Sequence, residues 1–236
     1  MLPRALIGDI KPKNWLGFID AIYAIILTFL LIELPSALLD LIKEYEQHPY
    51  LHWMMLSSFS LSLFGYLAVF LIIYDIWAHH RVALNEAAIN RVNLSLGIFI
   101  LFLCSLIPPL YRTISVLKHE ALIENGNFIG KYSIFFWDAR LTLYLIAVCV
   151  YGCIAVIAAK DFRFFRRRGG EAASRMLALK RLKDSSIAMV LSVVLIGFLS
   201  LMGYISPPVP IVMIALCTHL PVDKLILTFK QRIFGP

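Results

Sequence analysis

The chain has 236 residues, 60% of them hydrophobic and only 16% charged, with 22 Lys and Arg against 15 Asp and Glu. Soluble domains run near 45–50% apolar and about 25% charged. Together with a mean hydropathy of +0.81, this excludes a soluble globule, a disordered tail and a disulfide scaffold. What remains is an all-α integral membrane protein, long enough for about six spans joined by short loops.

Six segments are apolar enough to cross about 30 Å of hydrocarbon. In chain order they are Leu16–Leu34, Leu56–Trp77, Leu94–Leu110, Leu141–Ala159, Ile187–Ile205 and Ile211–Phe229. The sixth is the least apolar and carries His219, Asp223 and Lys224. With no repeat of 20–50 residues and no low-complexity stretch, residues 1–236 read as a single six-helix domain.

Basic residues set the expected orientation. Sixteen Lys and Arg fall in the N-terminal stub, the 2–3 loop, the 4–5 loop and the C-terminal tail, against five on the other side. The positive-inside rule then puts both termini in the cytoplasm. Nine of the sixteen lie in the 4–5 loop between Lys160 and Lys183. Such a cluster reads either as an orientation signal or as a site for anionic lipid headgroups. Without an aromatic platform or a recognised motif beside it, nucleic acid is not an expected partner.

The first span is the most informative. Ile25, Thr28, Phe29 and Ile32 recur at i, i+3, i+4 and i+7 and share one helical face. Asp20 lies five residues before Ile25 and points about 140° away from that stripe. If the stripe faces a central pathway, Asp20 faces the protein body. An ionisable group within a span is expensive in lipid, so Asp20 needs partners inside the protein. Trp77 and His79 at the end of span two, and Asn93 at the start of span three, are expected at the same depth. His79 and Asn93 can donate to a carboxylate. Glu33 closes the first span at the outer end, where an acid attracts cations.

Other pairs are thinner. Asp75 and His79, and again His219 and Asp223, stand four residues apart and can pair on a helix face. A metal site needs three or four converging ligands, so no metal is expected. Cys104, Cys149, Cys153 and Cys217 all lie in apolar runs. There is no Gly-x-Ser-x-Gly, no His-Glu-x-x-His and no Gly-rich phosphate loop, so an enzyme is not expected.

Phe18-Ile19-Asp20, the Ala24-Ile25…Thr28-Phe29…Ile32-Glu33 pattern, Trp77-Ala78-His79-His80-Arg81, Asn93-Leu94 and Pro108-Pro109 together resemble the transmembrane protein 175 family. These are endosomal and lysosomal potassium channels and their bacterial relatives, and the resemblance runs from about Asn14 to Pro109. It implies a homotetramer whose first helix lines the pore. Ile25, Phe29 and Ile32 correspond to the family's apolar constriction, and Thr28 to a polar step that contacts the ion. Phe18, Asp20, Trp77, His79 and Asn93 correspond to the motif that braces the first helix. Ile19 stands where the family motif has Ser, and Asn14 where it has a basic residue.

The expectation is therefore a passive, potassium-preferring cation channel without a cofactor, potassium being the permeant species. A compact single unit suggests a bacterial inner membrane. Two alternatives belong to other classes: a proton-coupled transporter using His219, Asp223 and Glu33, and a non-conducting membrane protein of the same fold.

Overall fold

A computed structural model describes residues 12–47, 52–86, 90–114, 133–168, 173–201 and 213–214. All of the regular structure among them is helical. The elements are α1 (Pro12–Gln47), α2 (His52–Glu86), α3 (Arg91–Ser105), α4 (Ser133–Arg168) and α5 (Ala173–Leu201). Past α3 the chain turns at Leu106 and is helical again over 107–114. Among the described residues, five helices are long and apolar enough to cross a membrane. The expected sixth segment, Ile211–Phe229, lies outside the described residues except for Met213 and Ile214.

The helices extend further than their apolar runs. α1 continues through Pro35 to Gln47, although the sequence reading ended that span at Leu34. Proline removes one backbone donor, and the Ser36 hydroxyl caps the nearby Glu33 carbonyl at 2.8 Å. The region between Lys160 and Lys183, expected as a loop, is mostly helix. α4 runs on to Arg168 and α5 starts at Ala173. Arg, Lys, Ala, Leu and Met are strong helix formers, so these ends stay helical where the apolar pattern stops.

α3 begins with a side-chain cap. Asn90 is extended, and its Oδ1 accepts from the Asn93 backbone N–H at 3.0 Å. That bond satisfies one of the helix's orphan donors. The short connection between α1 and α2 makes them antiparallel neighbours, and α4 and α5 form a second closely packed hairpin. The core is one continuous cluster. It includes Ile19, Tyr23, Ile26 and Leu30 from α1, Ile73 and Ile76 from α2, Ile100 from α3, Tyr151, Ile154 and Ile157 from α4, and Leu179 and Val193 from α5. Ile19 is fully buried in this cluster.

Candidate pore helix and its anchors

α1 has two faces of different character. Ile19, Tyr23, Ile26 and Leu30, spaced four, three and four residues apart, form the buried ridge. Ile25, Phe29 and Ile32 lie on another face and are 55%, 59% and 63% exposed. Only 22% of the apolar stretch of α1 is buried in the subunit, against 33–50% in the other four helices. Thr28 sits on the exposed face, and its hydroxyl donates to the Ala24 carbonyl at 2.7 Å. Donating backwards to its own helix leaves the oxygen lone pairs directed away from the backbone.

Phe18 is half exposed and stacks on Trp15, with ring centroids 5.3 Å apart. The resemblance implies a bracing role for it. Seven residues before Ile25, nearly two full turns, it falls instead on the face of the stripe.

Asp20 is held from α2. Trp77 Nε1 donates to its carboxylate at 2.7 Å, and the Arg81 guanidinium approaches to 3.7 Å. Arg81 also lies over the Trp77 ring, 5.4 Å from its centroid. Trp77 and Arg81 are four apart and so share a face of α2.

The other two expected partners of Asp20 turn elsewhere. His79 is two residues past Trp77, about 200° around the helix. Its Nδ1 lies 2.9 Å from the Asp75 carbonyl and 3.2 Å from the Asp75 carboxylate, and its Nε2 lies 3.0 Å from the Ser185 hydroxyl on α5. Tyr151 on α4 donates to the same Asp75 carboxylate at 2.6 Å. Asn93 faces α4, where its amide donates to Asp161 at 2.8 Å. Lys160 reaches Asn90 at 3.0 Å and Asn93 at 3.4 Å. The expected polar cluster is thus three separate sites. One binds α1 to α2, one ties α2 to α4 and α5, and one ties α3 to α4.

Residues that sequence reasoning did not single out complete the bracing. The buried Tyr23 hydroxyl lies 3.1 Å from His80 Nδ1 and 3.7 Å from Cys104 Sγ, so it joins α1, α2 and α3. The rings of Tyr23 and His80 meet edge to face at 5.9 Å. The signal was present, because Tyr23 is three residues beyond Asp20 and His80 three beyond Trp77, the spacing of a shared helix face. In antiparallel helices these two contacts cross, Asp20 reaching up to Trp77 and Tyr23 reaching down to His80. Gly97 makes room for His80: a Cβ there would stand 3.2 Å from Nε2.

Further along α1, Glu33 forms an ion pair of 2.8 Å with Arg112, in the helical segment after α3. The expected outer acid therefore carries its own counter-charge. Among the described residues no three His, Cys, Asp or Glu converge as a metal site would require. His219 and Asp223 lie outside the described residues.

Five bilayer-length helices around a shared apolar core, with ionisable side chains paired inside it, define a multi-pass helical membrane protein. Residues 16–108, which cover the first three spans, match the family model described as endosomal/lysosomal potassium channel TMEM175. Over that segment the chain is similar to the TMEM175 potassium channel family. Neither the curated proteins nor the solved structures give a match.

Proposed function

We propose that the chain is one subunit of a passive, potassium-preferring cation channel, a homotetramer with α1 from each copy around the axis. The observation that carries this reading is the division of α1. Its buried ridge and Asp20 are fixed to the subunit, while Ile25, Thr28, Phe29 and Ile32 are left largely exposed on the subunit's surface. The family model that residues 16–108 match is described as a potassium channel.

Around a symmetry axis, Ile25, Phe29 and Ile32 form an apolar constriction, and Thr28 contributes a ring of hydroxyl oxygens. The sequence has no Thr-Val-Gly-Tyr-Gly filter, so discrimination arises from the width and wetting of this passage rather than from a carbonyl cage. Asp20, Trp77 and Arg81 hold the helix in register, with Tyr23 and His80 beside them. Glu33 sits at the outer mouth, its draw on cations moderated by Arg112. The protein resides in a membrane of the bacterial inner-membrane type, with both termini cytoplasmic.

Flux from potassium-loaded liposomes tests the reading. Replacing Ile25 and Ile32 together by Asn hydrates the constriction and is expected to raise flux and reduce discrimination between potassium and sodium. Unchanged flux would remove the pore from α1. A steep pH dependence without single-channel steps would favour the proton-coupled alternative.

A further inference from the structure

The α4–α5 hairpin is longer than a bilayer is thick. At about 1.5 Å per residue, the 36 residues of α4 reach about 54 Å, against about 30 Å of hydrocarbon. The apolar run of α4 ends at Ala159. Arg163 and Arg166 then stand about 6 Å and 10 Å further along the axis, the first within the headgroup layer of about 5–7.5 Å and the second just past it, a gap that a long arginine side chain can span. The apolar run of α5 starts at Ile187, with Arg181 and Lys180 about 9 Å and 10 Å before it.

The two rows meet. Lys183 Nζ lies 5.8 Å from the centre of the Phe162 ring, which sets the register of the antiparallel hairpin. From that contact, Arg163 falls level with the turn carrying Arg181, and Arg166 with that carrying Lys180. All four side chains are exposed. The carboxylates nearby are engaged elsewhere: Asp161 by Asn93, Asp184 by Lys183 at 3.1 Å, and Glu86 by Arg175 at 4.0 Å. Phe164, 39% exposed, adjoins Arg163 in the same layer.

We infer that Arg163, Arg166, Lys180 and Arg181 form a binding surface for the phosphate headgroup of an anionic phospholipid. Guanidinium groups suit phosphodiester oxygens, which they bind in bidentate fashion. The depth of the four charges and the aromatic ring beside them favour a lipid over a soluble polyanion such as RNA. This inference does not depend on conduction.

The test uses the full chain reconstituted in vesicles of phosphatidylcholine with phosphatidylglycerol, then re-extracted in mild detergent. Lipid retained per chain is measured by mass spectrometry. Phosphatidylglycerol is expected at about fivefold or more over its input ratio, falling as salt is raised, and inorganic phosphate at matched ionic strength should not displace it. The variant Arg163→Gln/Arg166→Gln/Lys180→Gln/Arg181→Gln should lose the enrichment. The charge-keeping variant Arg163→Lys/Arg166→Lys/Arg181→Lys should keep most of it. Equal retention of both lipids by the wild-type chain overturns the inference, as does enrichment that survives in the Gln variant. Displacement by inorganic phosphate or by an RNA oligonucleotide overturns it too. If the Gln variant fails gel filtration, the salt and phosphate arms on the wild-type chain decide.

Discussion

Asp20 and Trp77, 57 positions apart in the chain, are joined by a 2.7 Å hydrogen bond from the indole N–H to the carboxylate. A hydrogen bond to a charged group contributes about 1.5–3 kcal/mol, reduced here because the Asp20 side chain is 35% exposed. Asp20→Ala removes the acceptor and is expected to lower the yield and thermal stability of folded protein by about 1–2 kcal/mol. Asp20→Asn keeps an acceptor oxygen and should lie closer to wild type. Thermal unfolding in detergent separates the two, and identical curves for Ala and wild type would remove the anchor.

Thr28 is bonded only to its own helix among the described contacts, so Thr28→Val should fold normally. In the proposed pore it replaces a ring of oxygens by methyl groups. Potassium flux is therefore expected to fall about tenfold or more, as loss of roughly 1.4 kcal/mol at the barrier would give. Phe29→Ala should act in the opposite direction by widening the constriction. A Thr28→Val channel with wild-type flux would place the ion path elsewhere.

Gly97 is required by close approach rather than by backbone freedom. A methyl group at this position meets His80 Nε2 at 3.2 Å, and His80 is fully buried against Tyr23. Gly97→Ala should cost about 1–3 kcal/mol, the range for overpacking a tight core. Gly65→Ala should be worse, since its Cβ would run into the Tyr111 hydroxyl. That ring packs edge-on to Tyr66 at 4.8 Å and has little room to yield. Both losses can be read as shifts in unfolding temperature.

Arg112 and Glu33 form a partly exposed pair, so breaking it should cost under about 1 kcal/mol. Its electrostatic effect is expected to be larger. Arg112→Gln removes a positive charge at the proposed outer mouth and frees the carboxylate, which should raise cation flux at low salt. The gain should fade as ionic strength increases and the Debye length shortens. A gain that persists unchanged in high salt would point to a change of shape rather than of charge.

The direction of residues was more legible in the sequence than their partners. The helical period alone separates the exposed stripe of Ile25, Phe29 and Ile32 from Asp20, and it brings Trp77 and Arg81 onto one face. It does not say which helix lies opposite His79 or Asn93. Both offer donors suited to a carboxylate; the i,i+4 spacing on α2 already offers Asp75 to His79, whereas Asn93 bonds Asp161 because α4 packs against that face. Phe18 shows the cost of reading a motif as a block: its register is that of the stripe. The basic segment after Ala159 was legible as charge but not as helix, since hydropathy ends where propensity still favours the coil of backbone hydrogen bonds.

The crossed pair of contacts between α1 and α2 has a mechanical consequence. Sliding α1 toward its C-terminal end brings Asp20 closer to Trp77 but draws Tyr23 away from His80, and sliding it back does the reverse. Spinning α1 about its own axis breaks both, together with the Glu33–Arg112 clasp thirteen residues further on. Piston and screw movements of this helix are therefore stiff, and the soft coordinate left to it is rocking as one rigid block with α2 and α3.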